Sequence, residues 1–337
     1  MRWQPALNAL HARGTKRMSD TQKGRPRLLA LSRRSAMQVG LAAGVTLTAP
    51  ALAQGRPPAI RIGVPTRTFW QRERITAEMT IYRSGAEAFE ALAAGAADII
   101  LDPPSLVAAG LRRGVGSRMV AGAQDEYSGW HLLVRQDSPV TRPEDLAGRR
   151  VGITATGSGS DLLALWTMQD RKLEFTRVPV GGGGLVPNLR SRQLDAAVVY
   201  SPLSFQQMRA NQARSLIDFS TAIPKHSVSA WIASDRLIRE RPEAVQGSVN
   251  ALFGAVAWMR ANRAPAVQLI AENNEIPPEV AAIEYEETML KLQTDGRLDR
   301  DQIAFALELA RLGGMTDMAP AEETFVTRFR PVPTPAT

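Results

Sequence analysis

The chain contains no cysteine. That excludes disulfides, thiolate metal sites, a cysteine nucleophile and a lipidated N-terminal cysteine. Histidine is nearly absent too: His11, His131 and His226 are the whole supply. Neither His131 nor His226 has a histidine or acidic partner at metal-ligand spacing, so polar packing contacts are their expected role, and no metal or other cofactor is expected. Aromatics make up only 6% of the residues, while alanine is abundant, which suits helices packed on sheets. After residue 53 no apolar run approaches the roughly 20 residues a membrane helix needs. A surplus of either charge is also missing there. The first 53 residues hold nine of the 41 basic side chains and one of the 33 acidic ones, leaving 32 of each. The composition therefore gives no electrostatic reason to expect nucleic acid as a partner.

What is present begins with an address label. Ser32-Arg33-Arg34 is followed by an apolar stretch from about Met37 to Leu52 and by Ala51-Leu52-Ala53 before Gln54. This reads as an export signal of the twin-arginine kind with a small-residue cleavage site, removed in a mature protein that starts at Gln54. The expected location is the periplasm, with the protein free in solution rather than membrane-anchored.

Beyond a linker at 54–58, strand patterns alternate with Gly/Pro/Ser loops and short helices. Strands are expected at 60–64, 75–82, 98–101, 119–123 and 130–134, then at 150–154, 175–180 and 195–200. Helices are expected at 84–94, from a cap at Ser105, and at 161–171, 185–192 and 204–211, with Gly181–Gly184 a flexible turn between two elements. From Pro242 the pattern is almost wholly helical (242–262, 264–273, 278–294, 300–311), and the last seven residues form a Pro-rich tail. The alternation implies an α/β fold of mostly parallel sheets flanked by helices.

In such sheets ligands bind outside the carboxyl ends of the strands. Four loops qualify: 65–69, 102–105, 156–160 and 200–202. The most suggestive is Thr156-Gly157-Ser158-Gly159-Ser160, which follows a strand and opens a helix, so its N–H groups and hydroxyls suit an anion. Asp161 in the first turn competes for the same helix end, and a simple capped turn is the alternative reading. No phosphate-loop lysine, dinucleotide fingerprint or nucleophile elbow accompanies the loop. Glu284, Glu286 and Glu287 read as a solvated helix face, and Lys225-His226 and Trp130-His131 lie near the ends of the middle unit.

Several stretches together resemble a known family. They are Glu90–Asp98 (EALAAGAAD), Leu133–Pro139 (LVRQDSP) with Asp145–Val151 (DLAGRRV), Arg192–Pro202 (RQLDAAVVYSP) and Ala233–Pro242 (ASDRLIRERP). In order and spacing they resemble periplasmic solute-binding proteins of ABC transporters of the nitrate/sulfonate/taurine type, which also include thiamine-precursor binders. The resemblance implies a two-lobe periplasmic binding protein fold (type II). Its first lobe would be discontinuous (57–135 plus 228–330), its second would span 136–227, and the ligand would lie between them.

By position the ligand-binding residues would be Thr66, Arg67, Thr68, Pro104, Ser105, Gly157, Ser158, Gly159, Ser160 and Tyr200, the last standing where the family often has tryptophan. The implied role is capture of a small solute, with anionic ones such as a sulfonate, taurine or nitrate being the family's habit. Hinge closure by a monomeric receptor would then present it to the transporter permease of the inner membrane, without catalysis. A solute sensor and an enzyme on the same fold are the alternatives. One departure stands out. The family has a helix of some 15 residues between its first two strands, where this chain has only Trp70–Arg74, so either those strands pair differently or the helix is absent and the first ligand loop altered.

Overall fold

The computed structural model describes residues 60–64, for which only the backbone is considered, and residues 77–332. The expected leader, the loop with Thr66, Arg67 and Thr68, and the end of the Pro-rich tail lie outside the described residues.

The chain opens with β1 (Ile60–Val64), β2 (Ala77–Ile81), α1 (Gly85–Ala93), β3 (Ile99–Asp102), α2 (Pro104–Arg112) and β4 (Ser117–Gln124). There follow β5 (His131–Arg135), β6 (Arg150–Ile153), α3 (Gly159–Asp170), β7 (Thr176–Pro179), α4 (Gly182–Arg190), β8 (Ala196–Val199), α5 (Leu203–Arg209), β9 (Ala213–Asp218) and the single turn α6 (Phe219–Ala222). Then β10 (Ser229–Ser234) leads into α7 (Asp235–Glu240), α8 (Pro242–Ala261), α9 (Arg263–Asn274), α10 (Pro278–Glu287) and α11 (Arg300–Leu312). None of the described helices is long and apolar enough to cross a membrane.

The described strands form two five-stranded sheets, in the orders β2-β1-β3-β10-β4 and β7-β6-β8-β5-β9. Each is a parallel trio extended by an antiparallel strand: β10 runs against β3 and β4, and β5 against β8 and β9. The second sheet is thus the first one's topological counterpart. Because β5 pairs only within the second sheet, residues 131–135 belong there, and the expected first-lobe limit of 135 moves back into the stretch between Gln124 and His131. β1 and β2 pair in parallel, Ile60 opposite Ala77. The twelve positions between them are close to the shortest connection a parallel pair allows.

Local chemistry explains most element boundaries. Ser84, Ser158, Ser234 and Asp299 each accept a hydrogen bond from an N–H in the first turn of α1, α3, α7 and α11, satisfying donors that the helix leaves open. Ser105 does not cap α2. The helix begins at Pro104 and Ser105 lies within its first turn.

The lobes are joined by more than their two connections. Leu162 of α3 is buried in the core beneath α1, α2 and α11, and Leu309 of α11 packs on the second sheet's core. Phe205 of α5 is buried in the cluster formed by α8, α9 and α10.

Candidate ligand cleft

A cavity of about 110 Å³ lies between the sheets. The ends of β3 (Leu101–Pro103), β4 (Gln124), β6 (Thr154) and β8 (Tyr200, Ser201) meet there, with Ser229 at the start of β10. It is where the carboxyl-end rule puts a ligand. α10 closes one side with Glu284 and Thr288, and the N-terminal turn of α1 closes another with Ser84 and Gly85.

Two carboxyl groups dominate its chemistry. Asp102 is 2% exposed, and its Oδ2 has no hydrogen-bond partner. A Cβ on Gly85 would stand 2.0 Å from Asp102 Oδ1, so only glycine lets the carboxyl sit against the first turn of α1. Burial pushes the Asp102 carboxyl well above the ordinary carboxylate range. Glu284 is 1% exposed. Its Oε1 accepts from the Ser201 hydroxyl (3.1 Å), which in turn accepts from Thr288 Oγ1 (3.3 Å), while Oε2 is unpartnered. Burial pushes Glu284 up to about 7, against the opposite pull of the two hydroxyls.

The remaining wall is aromatic. Trp130 stands edge-on to Tyr127, with ring centres 6.0 Å apart, and tilts against Tyr200 at 5.3 Å. Burial raises both tyrosine hydroxyls, so each stays neutral at physiological pH. Tyr200 is held where its hydroxyl would lie 2.3 Å from a Cβ on Gly182, and the Gly182 N–H donates across the cleft to the Arg83 carbonyl (2.9 Å). Arg83 also lines the cavity, and its exposed guanidinium pairs with Glu87 at 3.1 Å.

Of the residues expected to bind ligand, Ser158, Gly159 and Tyr200 line this cavity. Pro104 and Ser105 follow the lining residue Pro103 but turn into α2. Gly157 and Ser160 are not at the wall. The 156–160 loop spends its polar groups on itself. Thr154 Oγ1, Ser158 Oγ and Ser160 Oγ lie within 2.8–3.0 Å of one another. Ser158 donates to the Ala155 carbonyl, and the Gly157 N–H donates to Asp161 Oδ2 at 2.8 Å. Asp161 is also ion-paired with Arg177. The loop is therefore a capped turn whose helix end already holds an anion, its own aspartate.

Three further readings are corrected or sharpened. Glu284 is not part of a solvated face, although Glu286 and Glu287 are, paired with Arg263 and Lys291. Lys225 is held by Glu126 at 2.8 Å, away from the cavity wall. His131 is bonded to Ser215 Oγ (3.0 Å) and His226 donates to the Pro224 carbonyl (2.7 Å), each the packing contact expected. The 102–105 loop was expected at a ligand end with Pro104 and Ser105 as its contacts, whereas its first residues, Asp102 and Pro103, are the ones that line the cavity. A signal for Glu284 was present, since Val280, Ala281 and Thr288 fall on its own helical face at i−4, i−3 and i+4.

The fold is shared with known proteins. The chain shares its fold with the alkanesulfonate-binding protein SsuA of Xanthomonas axonopodis pv. citri, solved with MOPS bound (TM-score 0.69, 18% identity, covering 80% of this chain and 98% of that one). It is similarly related to the periplasmic aliphatic sulphonate-binding SsuA of Escherichia coli (TM-score 0.65, 16% identity, covering 83% and 95%). The desulfurization enzyme DszB also superposes (TM-score 0.56, 20% identity, covering 80% and 97%). In sequence, a 2'-hydroxybiphenyl-2-sulfinate desulfinase of Rhodococcus erythropolis is 27% identical over 223 residues, spanning 50% of this chain and 61% of that relative's length. The family model described as NMT1/THI5-like matches residues 65–266, more than half of the sequence, and the chain belongs to that family.

Proposed function

We propose that this protein is an exported solute receptor, monomeric and free in the periplasm, that captures one small molecule between its lobes and delivers it to an ABC transporter. The observation carrying this reading is the cleft itself. It is formed by both sheets at their carboxyl ends and holds buried polar atoms that no other part of the described chain satisfies. The binding-protein neighbours support the same role, and the twin-arginine-like leader supports export.

Thermal unfolding against a panel of alkanesulfonates, taurine, nitrate, aromatic carboxylates and amines tests it. A solute at 100 times its dissociation constant adds about 2.7 kcal/mol, equivalent to roughly 5–10 °C in a chain of this size. A shift confined to one chemical class is the expected result. Cooperative unfolding with no shift across this and a broader library of small solutes would count against a receptor.

The likeness to a desulfinase and the two protonatable carboxyls favour a second reading, an enzyme on the same fold. With no cysteine in the chain, such an enzyme would have to work without a thiolate. Mass spectrometry of a stabilising solute after prolonged incubation separates the two: the receptor returns it unchanged.

A further inference from the structure

We infer that the cleft is built for a compact ring bearing a cationic, N–H-rich nitrogen group of the amidine or amine class, and that it rejects carboxylates and sulfonates of the same shape. The inference rests on the receptor reading and names its solute class. Its first support is demand: Asp102 Oδ2 and Glu284 Oε2 are buried acceptors without a donor, both on the wall of one cavity. A ligand N–H satisfies either oxygen directly, whereas an anion finds no donor there except a carboxyl's own proton.

The second support is the lack of a countercharge. Arg83 is the one cationic side chain among the described lining residues; its side chain is 83% exposed and pairs with Glu87 at the rim. Lys225, Lys291 and Arg177 do not line the cavity; the two lysines pair with Glu126 and the arginine with Asp161. The hydroxyl-rich 156–160 loop, the natural place for an anion, bonds to itself.

The third support is shape. Trp130, Tyr127 and Tyr200 present ring surfaces that attract cations and stack on flat groups. A cavity of about 110 Å³ is somewhat smaller than the ~150 Å³ that accommodates benzene, which limits the solute to about one small ring.

The ionisable groups on the wall are Arg83, Asp102, Tyr127, Tyr200 and Glu284. Arg83 keeps its charge and the tyrosines stay neutral across the working range. Burial raises both carboxyls, Glu284 to about 7, and pairing with a cation favours their ionised forms. Binding should therefore release protons at pH 6 and strengthen as pH rises toward 8.

The test uses the full chain with isosteric probes: the amidine, amide and carboxylate of a phenyl ring and of a cyclopropyl ring, with benzenesulfonate alongside. Calorimetry in buffers of different ionisation enthalpy, with thermal unfolding, should show an amidine preferred over its carboxylate by at least tenfold, with proton release at pH 6. Asp102→Asn and Glu284→Gln should each weaken the amidine at least tenfold. Should a variant fail to fold, the amidine-to-carboxylate ratio of the unaltered protein still decides. Binding of a carboxylate or sulfonate in preference to the amidine overturns the solute class and leaves the receptor standing. If no probe binds while the wider panel yields a ligand without N–H donors, the class is overturned as well. If no solute binds at all, the receptor reading fails and the solute class falls with it.

Discussion

Glu284 lies on the inner face of α10, flanked by the buried side chains of Val280, Ala281 and Tyr285. A carboxyl raised to about 7 by burial binds its proton more tightly in the folded than in the unfolded chain. Its contribution to stability is therefore complete below the ordinary glutamate range and is lost as pH rises through about 7. The full swing is at most about 3 kcal/mol. Glu284→Gln removes that term, so the unfolding midpoint of the variant should fall less between pH 5 and 8 than that of the parent. Equal slopes in urea titrations across this range would mean that Glu284 is ordinary. Gly85 offers a second test at this scale. Gly85→Ala puts a methyl into the space of Asp102 Oδ1, and the short aspartate at a strand end has little room to yield. A cost of about 1–3 kcal/mol is expected, with at least tenfold weaker ligand binding. Gly159→Ala is the contrasting case, since its Cβ would make only ordinary contacts with Trp130 at 3.6 Å and Pro103 at 3.8 Å and should leave affinity within about twofold.

α3 shows how an element can look like a binding site and serve as a fixture. Asp161 closes the Gly157 turn, occupies the positive end of the helix and ties it to β7 through Arg177. Asp161→Ala removes a buried carboxylate from a partner that is about one-third exposed, so a loss of about 2–3 kcal/mol is expected, below the range for a fully buried pair. Denaturant unfolding measures that loss. Solute selectivity should be unchanged, and a switch in selectivity would return the loop to the site.

Elements with local signals were legible in the sequence: α1 with its Ser84 cap, α11 with Asp299, and the apolar strands β3 and β8. β9 and β10 were not. Ala213–Asp218 lacks clean alternation, and Ser229–Ser234 is rich in small residues whose burial comes from both neighbouring strands. The glycine run was expected to be flexible, yet Gly182, Gly183 and Gly184 open α4. Leu185 and Leu189 are buried, Gly182 is bonded to Arg83, and Tyr200 leaves no room for a Cβ, so tertiary context outweighs poor helix propensity. The site follows the same division. Its loops were readable from strand ends, but Asp102 and Glu284 acquire their roles only where residues far apart in sequence share a wall.

Across the whole molecule, the cleft is held by apolar ties as well as by polar ones. Phe205 sits in the cluster of α8, α9 and α10 while its own helix follows β8 of the other sheet, and nearby Ser201 bonds to Glu284 across the same junction. Parting the lobes there exposes an aromatic ring and breaks a buried hydrogen bond. On the receptor reading proposed above, a solute that reaches carboxyls only 1–2% exposed by parting of the lobes has to get past this junction. Phe205→Ala should lower stability by about 3–5 kcal/mol and make opening more frequent. Entry and exit then both accelerate. Exit gains more, because the closed, occupied form loses the tie as well, so affinity falls even though Phe205 does not line the cavity. Stopped-flow fluorescence of Trp130 resolves the two rates. If the variant is destabilised as expected but its association rate is unchanged, solute reaches the carboxyls without the lobes parting at α5 and α10, and the closure at this junction is only structural.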